Sequence, residues 1–158
     1  MSMRTTRLLV TGAAMICLSV GAARAVDSEP DKKDGLSVAR AQIAAKKWDN
    51  AVAELKRVND TGNADWNNLM GYSLRKASAP DYVGADRFYD EALRIDPKHR
   101  GALEYSGELA LMNGDAAKAE QRLAALDKAC RLPCEEFTDL KKAVGRYKAN
   151  GNKYVAAP

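Results

Sequence analysis

Apolar side chains in residues 82–97 fall on a single helical stripe. Ala85, Phe88, Tyr89, Ala92 and Leu93 stand at spacings i, i+3, i+4, i+7 and i+8, the pattern of a helix that buries one face. Pro97 stops it, because its ring cannot continue a helix. The stripe then recurs at a fixed distance. Ala85, Tyr89 and Ala92 become Ala51, Leu55 and Val58 going 34 residues back, and Ala119, Leu123 and Leu126 going 34 forward. A period in the thirties predicts stacked helical pairs, each hiding its apolar face only against a neighbour.

The intervening pattern fills in the other helices. Leu36, Ala39 and Ile43 share a face in residues 34–45, and a second helix follows over residues 48–58. The run Asn59, Asp60, Thr61, Gly62, Asn63 is a stop signal. The second pair opens near Ala64, with Trp66, Leu69, Met70, Gly71 and Leu74 on its apolar side. Glycine inside a helix costs about 1 kcal/mol against alanine, so Gly71 points to another helix passing too closely for a larger residue. Asp81 is placed to cap the helix that follows. The third pair covers residues 98–112 and 115–130, repeating the stripe with Leu103, Ser106, Gly107, Ala110 and Leu111 and with Asp115 as a cap. A last helix over residues 134–150 buries Phe137, Leu140, Val144 and Tyr147. Its acidic start (Glu135, Glu136, Asp139) and basic end (Arg146, Lys148) suit the helix dipole. A lone final helix with one apolar face closes the open end of a stack.

These residues resemble a tetratricopeptide repeat protein. The second pair carries the likeness best, with Gly71, Ala85, Tyr89, Ala92 and the Asp96-Pro97 boundary; the third adds Gly107, Gly114-Asp115, Ala119, Leu123 and Leu126. The first pair is degenerate, with Ala39 in place of glycine. The resemblance implies an all-α fold, a right-handed solenoid of three helix-turn-helix repeats (about residues 34–63, 64–97 and 98–131) with a capping helix at 134–150, within a domain spanning 34–151. It also implies a concave groove, lined by the first helix of each pair, that takes a peptide or helix from a partner. By register the groove would present Lys33, Leu36, Arg40 and Ile43 from the first pair. The second would add Asp65, Asn68, Tyr72, Arg75 and Lys76, and the third Glu104, Glu108, Leu111 and Met112. Arg40, Asn68, Tyr72, Arg75, Glu104, Glu108 and Leu111 are the candidate partner-binding residues. Family members that grip a partner's C-terminal carboxylate use lysine and asparagine where this chain has Leu36, Arg40, Leu69, Gly101 and Tyr105, so that activity does not carry over.

Charge changes the picture at one end only. The chain of 158 residues carries a net charge of +4, but Arg4, Arg7 and Arg24 lie in the first 25 residues, where there is no acidic residue. Without those three, 22 basic residues face 21 acidic ones, which argues against a nucleic-acid partner. Arg4 and Arg7 precede an apolar run over residues 8–23, and Ala23-Arg24-Ala25 supplies the small residues a signal peptidase needs. The expectation is a cleavable signal peptide, residues 1–25, cut after Ala25, and export to a bacterial periplasm without stable membrane insertion. Residues 26–33 read as a flexible lead-in, and residues 152–158 as a loose tail.

Candidate chemistry is sparse. His99 is the only histidine and reads as a solvated residue in a first helical turn. No phosphate-binding loop, strand pattern or paired carboxylate constellation is present, so the chain reads as a non-enzyme without a cofactor. Trp48, Trp66, Tyr89 and Tyr105 read as core. Two cysteines survive leader removal, Cys130 and Cys134. In an oxidising compartment they suggest a disulfide stapling the last repeat to its cap, with Pro133 enforcing a turn; a soft-metal clip or a thiol-exchange site are the alternatives. The leading reading is a periplasmic scaffold that binds a segment of another envelope protein in its groove. The rival is a thiol or soft-metal handling protein using the cysteine pair, and self-association through the first pair is a third option.

Overall fold

In the computed structural model, residues 35–132 and 134–155 are described. The expected signal peptide, the lead-in, Lys33 and the turn at Pro133 lie outside them. The described residues form seven helices and no strand: α1 (Ser37–Ala44), α2 (Trp48–Val58), α3 (Ala64–Lys76), α4 (Tyr82–Ile95), α5 (Arg100–Met112), α6 (Ala116–Ala129) and α7 (Glu135–Ala149). This is the expected stack of three helix pairs with a cap.

Local chemistry sets the helix starts. The Asn63 side chain accepts from the Asp65 and Trp66 amides at the head of α3, Asp81 from Gly84 at α4, and Asp115 from Lys118 at α6, each satisfying an amide that lacks a helical partner. At α5 the cap is His99, whose Nδ1 accepts from the Ala102 amide at 3.1 Å. Asn59 closes α2 in the left-handed region at φ 52°.

Packing sets the curvature. Each helix packs on its neighbours in sequence, and the first helices of successive pairs also meet: α1 touches α3, α3 touches α5, and α5 lies along α7. The second helices α2, α4 and α6 make no such mutual contact. Long charged side chains bridge α4 and α6 instead, with Lys118 on Asp86 at 2.7 Å and Arg122 on Asp90 at 2.7 Å. First helices drawn together and second helices splayed apart produce a curved stack with the first helices on its inner face.

The core runs along the stack. Leu36, Ala39, Leu55, Trp66, Leu69 and Met70 join the first pair to α3. Ala85, Tyr89 and Leu109 carry the contact across to α5. Leu103, Leu111, Leu126, Leu140, Val144 and Tyr147 close the end under α7. Gly71 behaves as its position demands: a Cβ there would lie 2.8 Å from Tyr89 Cε1 and 3.0 Å from the Ala85 carbonyl. At Gly107 the intruder is the cap, where a Cβ would lie 2.6 Å from Leu140 Cδ2. The tail is not loose over its described part. The Asn152 amide bonds to the Tyr147 carbonyl at 3.0 Å, and half-buried Tyr154 packs on the terminal core. No helix among the described residues is long and apolar enough to cross a membrane.

Candidate functional site

A cleft of about 400 Å³ opens on the inner face, lined by Tyr72, Arg75 and Lys76 of α3, Glu104, Tyr105 and Glu108 of α5, and Glu135, Glu136 and Asp139 of α7. Its positions follow from helical spacing. Tyr72 and Arg75 stand one turn apart on α3, and Glu104 and Glu108 one turn apart on α5, so each pair projects from one face.

The aromatic wall draws on all three repeats. Tyr72 stacks on Tyr105 with centroids 4.5 Å apart, and Trp48 and Tyr72 form a T-shaped pair with centroids 5.7 Å apart. Arg75 lies beneath, its guanidinium 5.6 Å from the Tyr72 ring and 5.4 Å from that of Tyr105. It donates to Glu108 at 2.9 Å and to the Tyr105 carbonyl at 3.4 Å. Burial works against the charge on Arg75, but the Tyr89 and Glu108 oxygens outweigh it and raise its pKa. Arg75 is therefore a structural cation, 5% exposed, that ties α3 to α5 at the floor of the cleft.

Carboxyl groups dominate the opposite wall. Burial, then the charges of Glu108, Asp139 and Glu136, push the Glu104 carboxyl up to about 8, against a smaller opposing pull from Arg75. Glu104 thus holds its proton at neutral pH. Burial likewise raises the Tyr72 and Tyr105 hydroxyls, so both rings stay neutral.

Four of the seven candidate residues converge here: Tyr72, Arg75, Glu104 and Glu108. Arg40 does not; it sits on exposed α1 and pairs with Asp65 at 2.8 Å. Asn68 is 7% exposed and is wedged beside Gly101, where a Cβ would come within 3.0 Å of its Nδ2. Leu111 is 1% exposed and belongs to the terminal core. Leu36, placed in the groove by register, is core as well, while Ile43 and Met112 pack half-buried against it. Three expectations about single residues also change. His99 is not solvated: its Nε2 meets Asp65 Oδ1 at 2.8 Å with the side chain 13% exposed, and since Nδ1 accepts, Nε2 carries the hydrogen and donates. Burial tends to raise the Asp65 carboxyl, but bonds from His99 and Arg40 win and hold it low. Tyr105 packs half-buried against the core and also lines the cleft, while Trp48 is half-buried against Tyr72, outside the cleft lining.

Sequence reasoning missed Glu135, Glu136 and Asp139 as groove residues. Treating α7 as the first helix of a further repeat would have placed its opening turns beside Glu104. Cys130 and Cys134 are joined by a disulfide, with Cα atoms 5.9 Å apart. Glu135 and Glu136 follow directly, so the link holds the turn from which two cleft carboxylates project. Both sulfurs are consumed by it, and no group of three or more metal-ligating residues exists among the described residues.

No protein-family model matches the chain, and no curated protein matches it in sequence. Solved structures do match in fold. The type III secretion translocator chaperone SycD of Yersinia enterocolitica aligns with a TM-score of 0.64 at 20% identity, covering 75% of this chain and 83% of that one. The same chaperone in complex with a peptide of the translocator YopD aligns at 0.60 and 19%, covering 74% and 88%. At such identity the likeness is one of architecture: this chain has a tetratricopeptide-like helical-repeat fold.

Proposed function

We propose that the protein is a non-enzymatic scaffold that holds a segment of a partner protein against its inner face, with Tyr72 and Tyr105 as anchors. The observation that carries this reading is the cleft itself, a concave, half-buried aromatic and charged surface built across α3, α5 and α7. Large aromatic side chains at the centre of a concave surface are where binding energy concentrates. A structural neighbour in complex with a translocator peptide supports a peptide as the class of partner. The basic start, apolar run and Ala23-Arg24-Ala25 site of the leader support export and an envelope protein as the source of that peptide.

Photo-crosslinking tests the reading in cells. A benzophenone side chain replacing Lys76, at the rim of the cleft, should yield a discrete adduct, whereas one replacing Gln121, exposed on α6, should not. Adducts from Gln121 alone, or from neither position, would contradict the groove. Export is tested separately by N-terminal sequencing of the periplasmic protein, expected to begin at Val26.

A further inference from the structure

The cleft is lined by five carboxyl groups and two cations, and the cations are poorly placed to balance it. Arg75 is committed to Glu108 and the tyrosine rings, and Lys76 is exposed at the rim. Arg100 reaches Glu136 only at 3.6 Å and Lys142 reaches Asp139 at 3.3 Å. Glu104 has neither a hydrogen bond nor an ion pair among the described residues. The carboxyl groups come from two helices and do not converge as metal ligands do. Carboxyl groups spread over two helices beside aromatic rings suit an organic cation rather than a bound metal ion. Arg75 already shows the local arrangement, a guanidinium held between two tyrosine rings and a carboxylate, and aromatic faces attract cations.

We infer that the partner segment delivers a lysine or arginine side chain into this cleft, between the tyrosine rings and the carboxyl groups of α5 and α7. The inference rests on the groove reading given above and adds the chemistry of what the groove selects. It carries a pH signature. The groups facing Glu104 are Tyr72, Arg75 and Lys76 from α3, Tyr105 and Glu108 from α5, and Glu135, Glu136 and Asp139 from α7. Among them, burial and the neighbouring acids keep Glu104 protonated near neutrality. An incoming cation favours the ionised form, so binding expels the proton and strengthens as pH rises toward the alkaline side.

The test uses the disulfide-intact chain and three small probes: N-acetyl-arginine amide, N-acetyl-leucine amide and N-acetyl-glutamate amide. NMR follows the Tyr72 and Tyr105 ring protons and the Glu104 carboxyl carbon. The arginine probe should perturb all three and bind roughly 25-fold more tightly at pH 8.5 than at pH 6.5, the change in ionised fraction of a carboxyl that titrates at about 8 when the ionised form is the one that binds. E104Q, confirmed helical, should flatten that dependence. Equal or tighter binding of the leucine or glutamate probe would overturn the inference, as would no response to the arginine probe at either pH. Adducts from Lys76 together with a silent arginine probe would keep the groove and remove the cation. A responsive probe with no adducts would do the opposite.

Discussion

Gly71 of α3 and Gly107 of α5 stand at matching places in their repeats, yet different things press on them. At Gly71 a methyl group would meet a fully buried tyrosine ring and a backbone carbonyl, neither of which can give way cheaply. At Gly107 it would meet the end of the Leu140 side chain, buried as well but flexible at its tip where a ring and a carbonyl are rigid. Alanine gains about 1 kcal/mol of helix propensity at either site, while overpacking costs about 1–3 kcal/mol. Urea unfolding should therefore show Gly71→Ala less stable than the parent by about 1–2 kcal/mol and Gly107→Ala within about 1 kcal/mol of it; the reverse order would refute the close approach at Gly71. Glu104 offers a second test. Its folded pKa, about 8, lies above its ordinary 4.5, so the folded state holds the proton more tightly than the unfolded chain. The resulting stability is complete below the ordinary value and is lost as pH rises through the folded one. Glu104→Gln mimics the neutral acid. Its advantage over the parent should open above about pH 4.5 and level off above about pH 8 in parallel urea titrations, and a gap independent of pH would sink the assignment.

At the scale of elements, the cap matters as much as the repeats. Helix α7 buries Leu140, Ala143, Val144 and Tyr147 and supplies three of the cleft's carboxyl groups, while the disulfide fixes where it begins. Opening so short a ring should cost about 2 kcal/mol by loop-closure entropy. The Cys130→Ser/Cys134→Ser double variant should lose that amount in urea, with its tyrosine environment altered in near-ultraviolet circular dichroism and its helix content kept. An unchanged stability would mean that packing alone positions α7. The helices and the caps Asp81 and Asp115 were legible in the sequence because apolar periodicity and these side chains act locally, whereas Asn63 read only as part of a stop signal and His99 as solvated. The site was less so. Register assigned Arg75, Asn68 and Leu111 to the groove because it orders residues along a face without saying how deep each sits. Arg75 is buried because α5 arrives with Glu108 and Tyr105 to receive it, a tertiary fact with no local signature. For the same reason, replacing Arg75 is a poor test of binding, since it removes the tie between α3 and α5.

For the molecule as a whole, the curved stack leaves one concave face, and the account turns on that face being where a partner lies. The direct measurement is amide hydrogen exchange on the chain alone and on its complex with the segment captured through Lys76. Protection should rise in α3, α5 and the first turns of α7, with α2, α4 and α6 exchanging as before. Protection confined to α2, α4 and α6, or none at all, would contradict the account.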